Sequence, residues 1–244
     1  MNSLVYTELL KMKNSKMFLL SLLGGIVSPL LTFFMLLAHH QQNPAETLTM
    51  KSFLSQTHLF IAFLVGTMLF ALITTYLFNR EFEEDTLKNL LTIPVGRTQL
   101  VLSKLFILIV WIEIIMIYSF FMVILLGLIG GFEGFQTNIL LLSFKKYIFT
   151  GFLLYLLTPV ITLITILFRT YIPSIAFSIF ATLATLVIMN SKYIALYPWG
   201  IPVLMTMNNQ QSEYPILISW LIIIGVFIIS LTATLIYFNK TDID

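Results

Sequence analysis

Cysteine is absent from the 244 residues, and charge is scarce: Asp, Glu, Lys and Arg together make up 10%. The first absence excludes disulfides, thiolate metal sites and thiol catalysis, and carries no information on redox compartment. The second excludes a soluble surface. A soluble domain carries about 25% charged residues, whereas 59% of this chain is apolar and its mean hydropathy is +0.98. A net charge of +2, with no basic patch interleaved with aromatics, also argues against a nucleic-acid partner. A G-x-x-x-x-G-K-[ST] phosphate loop is missing as well, so the chain cannot cradle nucleotide phosphates in that manner. What remains is an all-α integral membrane protein.

A helix needs about 20 apolar residues to cross the hydrocarbon core. Runs of that kind lie at Met17–Ala38, Thr57–Phe78, Leu105–Ile129, Ile148–Phe168, Pro173–Asn190 and Ile216–Phe238. The first, of about 22 residues, exceeds the roughly 7–15 of a signal-peptide core, and no small-x-small cleavage site follows, so it is expected to stay as an anchor. Six crossings make one transmembrane domain over 1–244 and place both termini on one side. The fourth and fifth are separated by Arg169-Thr170-Tyr171-Ile172, a tight hairpin whose Pro173 suits a helix start. After the fifth, the apolar and aromatic stretch within 191–215 reads as a re-entrant or interfacial piece on the outer side.

Lysine and arginine asymmetry sets orientation. With both termini cytoplasmic, the inside carries Lys11, Lys13, Lys16, Arg80, Lys88, Arg97, Lys104, Arg169 and Lys240, and the outside Lys51, Lys145, Lys146 and Lys192. Nine against four favours a cell-membrane protein with its termini inside, although Lys145-Lys146 sits awkwardly beside the membrane on the outer side. Residues 1–16 place Leu4, Val5, Leu9 and Met12 near one helical face with lysines late, the pattern of an interfacial helix on the inner leaflet.

One charged segment interrupts the apolar runs, the cytoplasmic loop 79–104. Glu81, Glu83, Glu84 and Asp85 precede Leu87, Leu90 and Leu91, which follow the i, i+3, i+4 spacing of one helix face. Acids at that position favour the positive end of a helix dipole. Pro94 and Gly96 end the segment, and Thr98 is placed to cap a further helix through Lys104. Such a short amphipathic helix either lies flat on the bilayer or enters a groove on a partner.

The string Glu81-Phe82…Thr86-Leu87-Lys88-Asn89-Leu90-Leu91-Thr92…Pro94-Val95…Arg97…Ser103-Lys104 resembles the cytoplasmic loop of type-2 ABC exporter permeases. It is most similar to the short bacterial subunits of bacitracin-type, lantibiotic-immunity and related toxic-peptide exporters. Where their pattern usually has Gly before Thr-Leu/Ile-Lys, this chain has Asp85. The resemblance implies that residues 83–91 form a coupling helix seated on a separate ABC ATPase subunit. Glu83, Glu84, Thr86, Leu87, Lys88, Leu90, Leu91 and Arg97 are the docking candidates. It also implies a second, identical or homologous permease in a dimer, and an exported amphiphilic or antimicrobial peptide, hence resistance. The chain itself is then no enzyme and binds no cofactor, ATP and its Mg2+ being held by the partner ATPase.

Other chemistry is thin. His39, His40 and His58 fall in or beside the first outer loop, where the His39-His40 pair reads as solvated rather than as a metal site. Glu83-Glu84-x-x-x-Lys88 brushes against the paired-glutamate motif of CAAX-type intramembrane proteases. Those enzymes hold the glutamates and histidines within hydrogen-bond reach, and here loop glutamates and outer histidines are expected on opposite sides. Glu113 is the acid inside a crossing, eight residues past Leu105 and so roughly 12 Å deep. A charge there costs about 2.5–3.5 kcal/mol or more, so Glu113 lines either a translocation path or a helix-packing contact. The competing reading of the whole chain is a membrane scaffold or sensor that binds a cytoplasmic partner through 81–99.

Overall fold

A computed structural model describes residues 2–13, 15–44, 46–83, 96–206 and 212–240. Among them six helices are long and apolar enough to cross a membrane. A short α1 (Asn2–Lys13) precedes the crossings α2 (Lys16–Gln42), α3 (Met50–Glu83), α4 (Arg97–Ile129), α5 (Thr137–Phe168) and α6 (Tyr171–Ile188). A 3-10 turn at Lys192–Leu196 and the short α7 (Gly200–Thr206) follow, and α8 (Ile216–Lys240) closes the bundle. The chain alternates direction, so α1, the ends of α3 and α4 around residues 84–95, the α5–α6 hairpin and the end of α8 gather at one end.

Side-chain caps start two of the helices. Ser15 and Thr49 sit in extended backbone and accept from Met17 N and Ser52 N, capping α2 and α3. Arg169 adopts φ 52°, which stops α5, and α6 starts two residues later with Pro173 in its first turn. The hairpin is therefore only Arg169-Thr170, tighter than the four residues expected.

Three spans begin well before the apolar runs that mark them. α3 starts at Met50 rather than Thr57, α4 at Arg97 rather than Leu105, and α5 at Thr137 rather than Ile148. In the added stretch of α3, Met50, Phe53 and Leu54 are buried in helical continuity with Thr57 and His58, while Lys51 and Ser55 face outward. In the added stretch of α5, Lys145 and Lys146 are exposed on the helix and Tyr147 is buried.

The α2–α4 contact is knitted by small polar groups. Trp111 Nε1 donates to Ser21 Oγ at 2.9 Å and Ser119 Oγ donates to the Gly25 carbonyl at 2.7 Å. Such groups let transmembrane helices approach closely. α3 widens into a π turn over Ile61–Val65, which closes on Gly66 N–H bonded to the Ile61 carbonyl. A Cβ at Gly66 would run into that oxygen and come within 2.9 Å of Leu154, so glycine is required. The buried residues Ala62 and Phe63 of this turn pack against Ile194, Ala195, Val203 and Leu204. Residues 192–206 thus fold into the bundle, where Tyr197 OH donates to the Ala181 carbonyl at 3.0 Å and Ser219 Oγ to the Ala195 carbonyl at 3.2 Å.

Candidate functional site

Of the expected docking residues, Glu84, Thr86, Leu87, Lys88, Leu90 and Leu91 lie outside the described residues. Their mount does not. The chain leaves α3 at Glu83, which is exposed, and rejoins the bundle at Gly96, the N-cap of α4. Thr98, expected to cap that helix, instead accepts from Asn239 Nδ2 at 3.2 Å. Arg97 donates to the carbonyls of Phe238 at 3.1 Å and Asn239 at 3.3 Å. The last carbonyls of a helix lack intrahelical partners, so this guanidinium fastens the start of α4 to the end of α8.

Just inside this frame lies a buried ion cluster. Lys104 Nζ is 3.0 Å from Glu81 Oε1 and 3.7 Å from Glu8 Oε2, and it donates to the Leu77 carbonyl at 2.6 Å. Lys11 Nζ stands 3.0 Å from Glu8 Oε1 and 3.4 Å from Glu81 Oε1. Two acids and two bases from α1, α3 and α4 therefore meet in one place, with the Lys104 and Glu81 side chains each 3% exposed. Burial works against the charge on Lys11, but the Glu8 and Glu81 carboxylates more than offset it, so its pKa stands above the ordinary 10.5.

This arrangement corrects the expected face of α1. Leu9 is exposed, together with Tyr6 and Leu10, while Val5, Glu8, Lys11 and Met12 turn toward the bundle. The side chain of Leu4 lies outside the described residues. The cluster is not visible in the sequence because Lys11 belongs to an expected interfacial helix, and Glu81 and Lys104 to opposite ends of an expected cytoplasmic loop. A signal existed: Lys104 falls in the buried helical row Val101, Lys104, Leu105, Leu108, Trp111.

Glu113 is half-buried on α4, and its carboxyl lies against α5. A Cβ on Gly151 would be 2.9 Å from Glu113 Oε1, and Glu113 Oε2 is buried with no hydrogen-bond partner. The adjacent residue, Thr150, holds His58. Its Oγ1 lies 2.8 Å from His58 Nε2, and the imidazole stacks on Tyr147 at 4.8 Å. His58, expected in or beside the first outer loop, is a buried residue of α3 on the α3–α5 contact. His39 and His40, at the end of α2, gain a partner the sequence did not show: Glu46 Oε2 lies 3.0 Å from His39 Nε2, and its carbonyl 2.8 Å from His40 Nδ1. No group of three or more potential metal ligands occurs among the described residues.

A bundle of six apolar helices, with polar contacts between spans and a charged frame at one end, is the build of a multi-pass membrane protein. Comparison with known proteins supplies the family. The model for ABC-2 family transporter proteins matches residues 4–185. The bacitracin transport permease protein BCRB of Bacillus licheniformis is 40% identical over 189 residues, covering 78% of this chain and 91% of that protein. The chain belongs to the ABC-2 transporter family, as a membrane-spanning permease subunit of an ABC exporter. Permeases of this family work with an ABC ATPase carried on another chain.

Proposed function

We propose that this permease exports amphiphilic or antimicrobial peptides, with its termini and residues 84–95 in the cytoplasm. Each copy docks one ATPase through a helix over 83–91 whose buried face is Leu87, Leu90 and Leu91. A second, identical or related permease completes the path. Support for the cargo comes from the 40% identical bacitracin transport permease. Support for the orientation comes from the nine-to-four distribution of Lys and Arg.

The observation that carries the coupling reading is the clamp beneath the loop. Lys104 joins α4 to Glu81, two residues before the last residue of α3, and to Glu8 of α1. A push delivered to residues 84–95 by closure of an ATPase dimer then moves α3, α4 and α1 together, as rigid-body reorientation requires. The Glu113–Gly151 contact passes the shift from α4 to α5. In this reading Glu113, set against Gly151, changes partners between states.

The test is co-reconstitution of the permease and its ATPase in vesicles with a labelled cyclic peptide antibiotic. ATP-dependent movement of the peptide, together with peptide-stimulated ATP hydrolysis, is the expected result. Peptide movement by the permease alone would overturn the reading.

A further inference from the structure

A groove of about 800 Å³ opens between α1, the start of α2 and α3. Its lining combines Lys11, Lys16 and Arg80 with the hydroxyls of Ser15 and Tyr76, which share a hydrogen bond of 2.8 Å. Leu10, Met17 and Leu20 supply an apolar wall, and no carboxylate lines it among the described residues. Glu8 and Glu81 stand behind Lys11 and engage two of its three ammonium donors, leaving one for a ligand. The Ser15–Tyr76 pair likewise leaves one hydroxyl hydrogen over.

The position of the groove narrows what can occupy it. The span of α2 begins at Lys16, so the groove sits where that helix enters the bilayer, at the level of lipid phosphates. From Leu20 an exposed apolar row continues along α2 through Leu23, Val27, Leu31 and Phe34. Cations and hydroxyls converge at headgroup depth, and a track wide enough for a hydrocarbon chain leads away from them toward the membrane centre. Basic pockets between transmembrane helices at this level suit anionic lipid headgroups.

We propose that this groove binds the phosphate of an anionic phospholipid, with an acyl chain along the α2 row. The site touches Lys11 and lies one turn from Glu83, so an occupied groove fixes α1 against the frame that carries residues 84–95.

The experiment uses the permease–ATPase complex in phosphatidylcholine vesicles doped with spin-labelled phosphatidylglycerol or spin-labelled phosphatidylcholine. The readout is the fraction of each label immobilised by the protein. The wild type should select the anionic label. A Lys or Arg beside an anionic surface is worth about fivefold in affinity, so Lys16→Gln should lower the selectivity about fivefold. Lys16→Gln/Arg80→Gln should bring it close to parity. Lys16 is exposed, and its substitution leaves the bundle intact, so the single variant decides even where the double one folds poorly. Undiminished selectivity in Lys16→Gln overturns the proposal. Loss of wild-type selectivity on adding millimolar inorganic phosphate at constant ionic strength would assign the groove to a free anion and overturn the lipid reading.

Discussion

Replacing Lys104 by Met removes the centre of the buried ion cluster while keeping an unbranched side chain of similar length. The consequence follows from what is left behind. Glu81 loses a cation at 3.0 Å and Glu8 loses one at 3.7 Å, in a site where the Glu81 side chain is 3% exposed. Breaking a buried pair by deleting one partner costs about 3–5 kcal/mol, because a desolvated charge loses its compensation. Lys11 still faces both carboxylates, so the lower part of that range applies, about 3 kcal/mol, or roughly a hundredfold in the folded population. The Leu77 carbonyl is a helical acceptor already and adds little. Reversible unfolding of the purified permease by titration with a denaturing detergent measures the loss. In Lys104→Met/Glu81→Gln both members of the closest pair are neutral, and much of the lost stability should return. A Lys104→Met protein within about 1 kcal/mol of the wild type, or a double variant showing the simple sum of two losses, would refute the view that this cluster clamps α1, α3 and α4.

Further expectations concern the middle of the bundle and the pH response. Gly151→Ala puts a methyl 2.9 Å from both Glu113 Oε1 and Met116 Cγ, so it should destabilise by about 1–3 kcal/mol in the same unfolding assay, and shifting Glu113 by Glu113→Ala should relieve part of that. Glu113→Gln should fold normally yet alter peptide export, and Glu113→Leu should alter it more. Wild-type export by both would reduce Glu113 to a packing residue. Because the folded pKa of Lys11 is raised, its contribution to stability is complete at neutral pH and disappears as the pH climbs through that value, above 10.5. Lys11→Met should therefore lose less stability than the wild type on strong alkalinisation, and parallel alkaline profiles would contradict this.

The six spans were legible because uninterrupted apolar runs are the strongest signal a chain can carry, and their centres lie where the runs do. Their ends were less legible. Lys51, Ser55, Lys145 and Lys146 break the runs by composition, yet they occupy the outer faces of helices whose inner faces are Met50, Phe53, Leu54 and Tyr147. A window of hydropathy averages the two faces, whereas helical spacing separates them. The ion cluster was hidden for a different reason. Glu8, Lys11, Glu81 and Lys104 come from three segments of the sequence, and each alone has the look of a solvated charge. Only the approach of α1 to the α3–α4 frame turns them into one site. Glu113 stood out as an intramembrane acid, but nothing in the sequence tied it to Gly151, and His58 is a core residue because Thr150 and Tyr147 of α5 pack on it.

The account rests on residues 84–95 as the physical link between ATP hydrolysis elsewhere and movement of this bundle, and single aspartate substitutions in its leucine face test that link most directly. Burying a leucine contributes about 1.5–3 kcal/mol, so Leu87→Asp, Leu90→Asp and Leu91→Asp should each weaken ATPase binding roughly ten- to a hundredfold. No spanning segment changes, so the variants should reach the membrane at wild-type levels. The measurement is peptide-stimulated ATP hydrolysis by the reconstituted complex, alongside the amount of ATPase that co-purifies with each variant. The account predicts normal membrane abundance with loss of both. Full ATPase retention and full peptide stimulation in all three variants would contradict it.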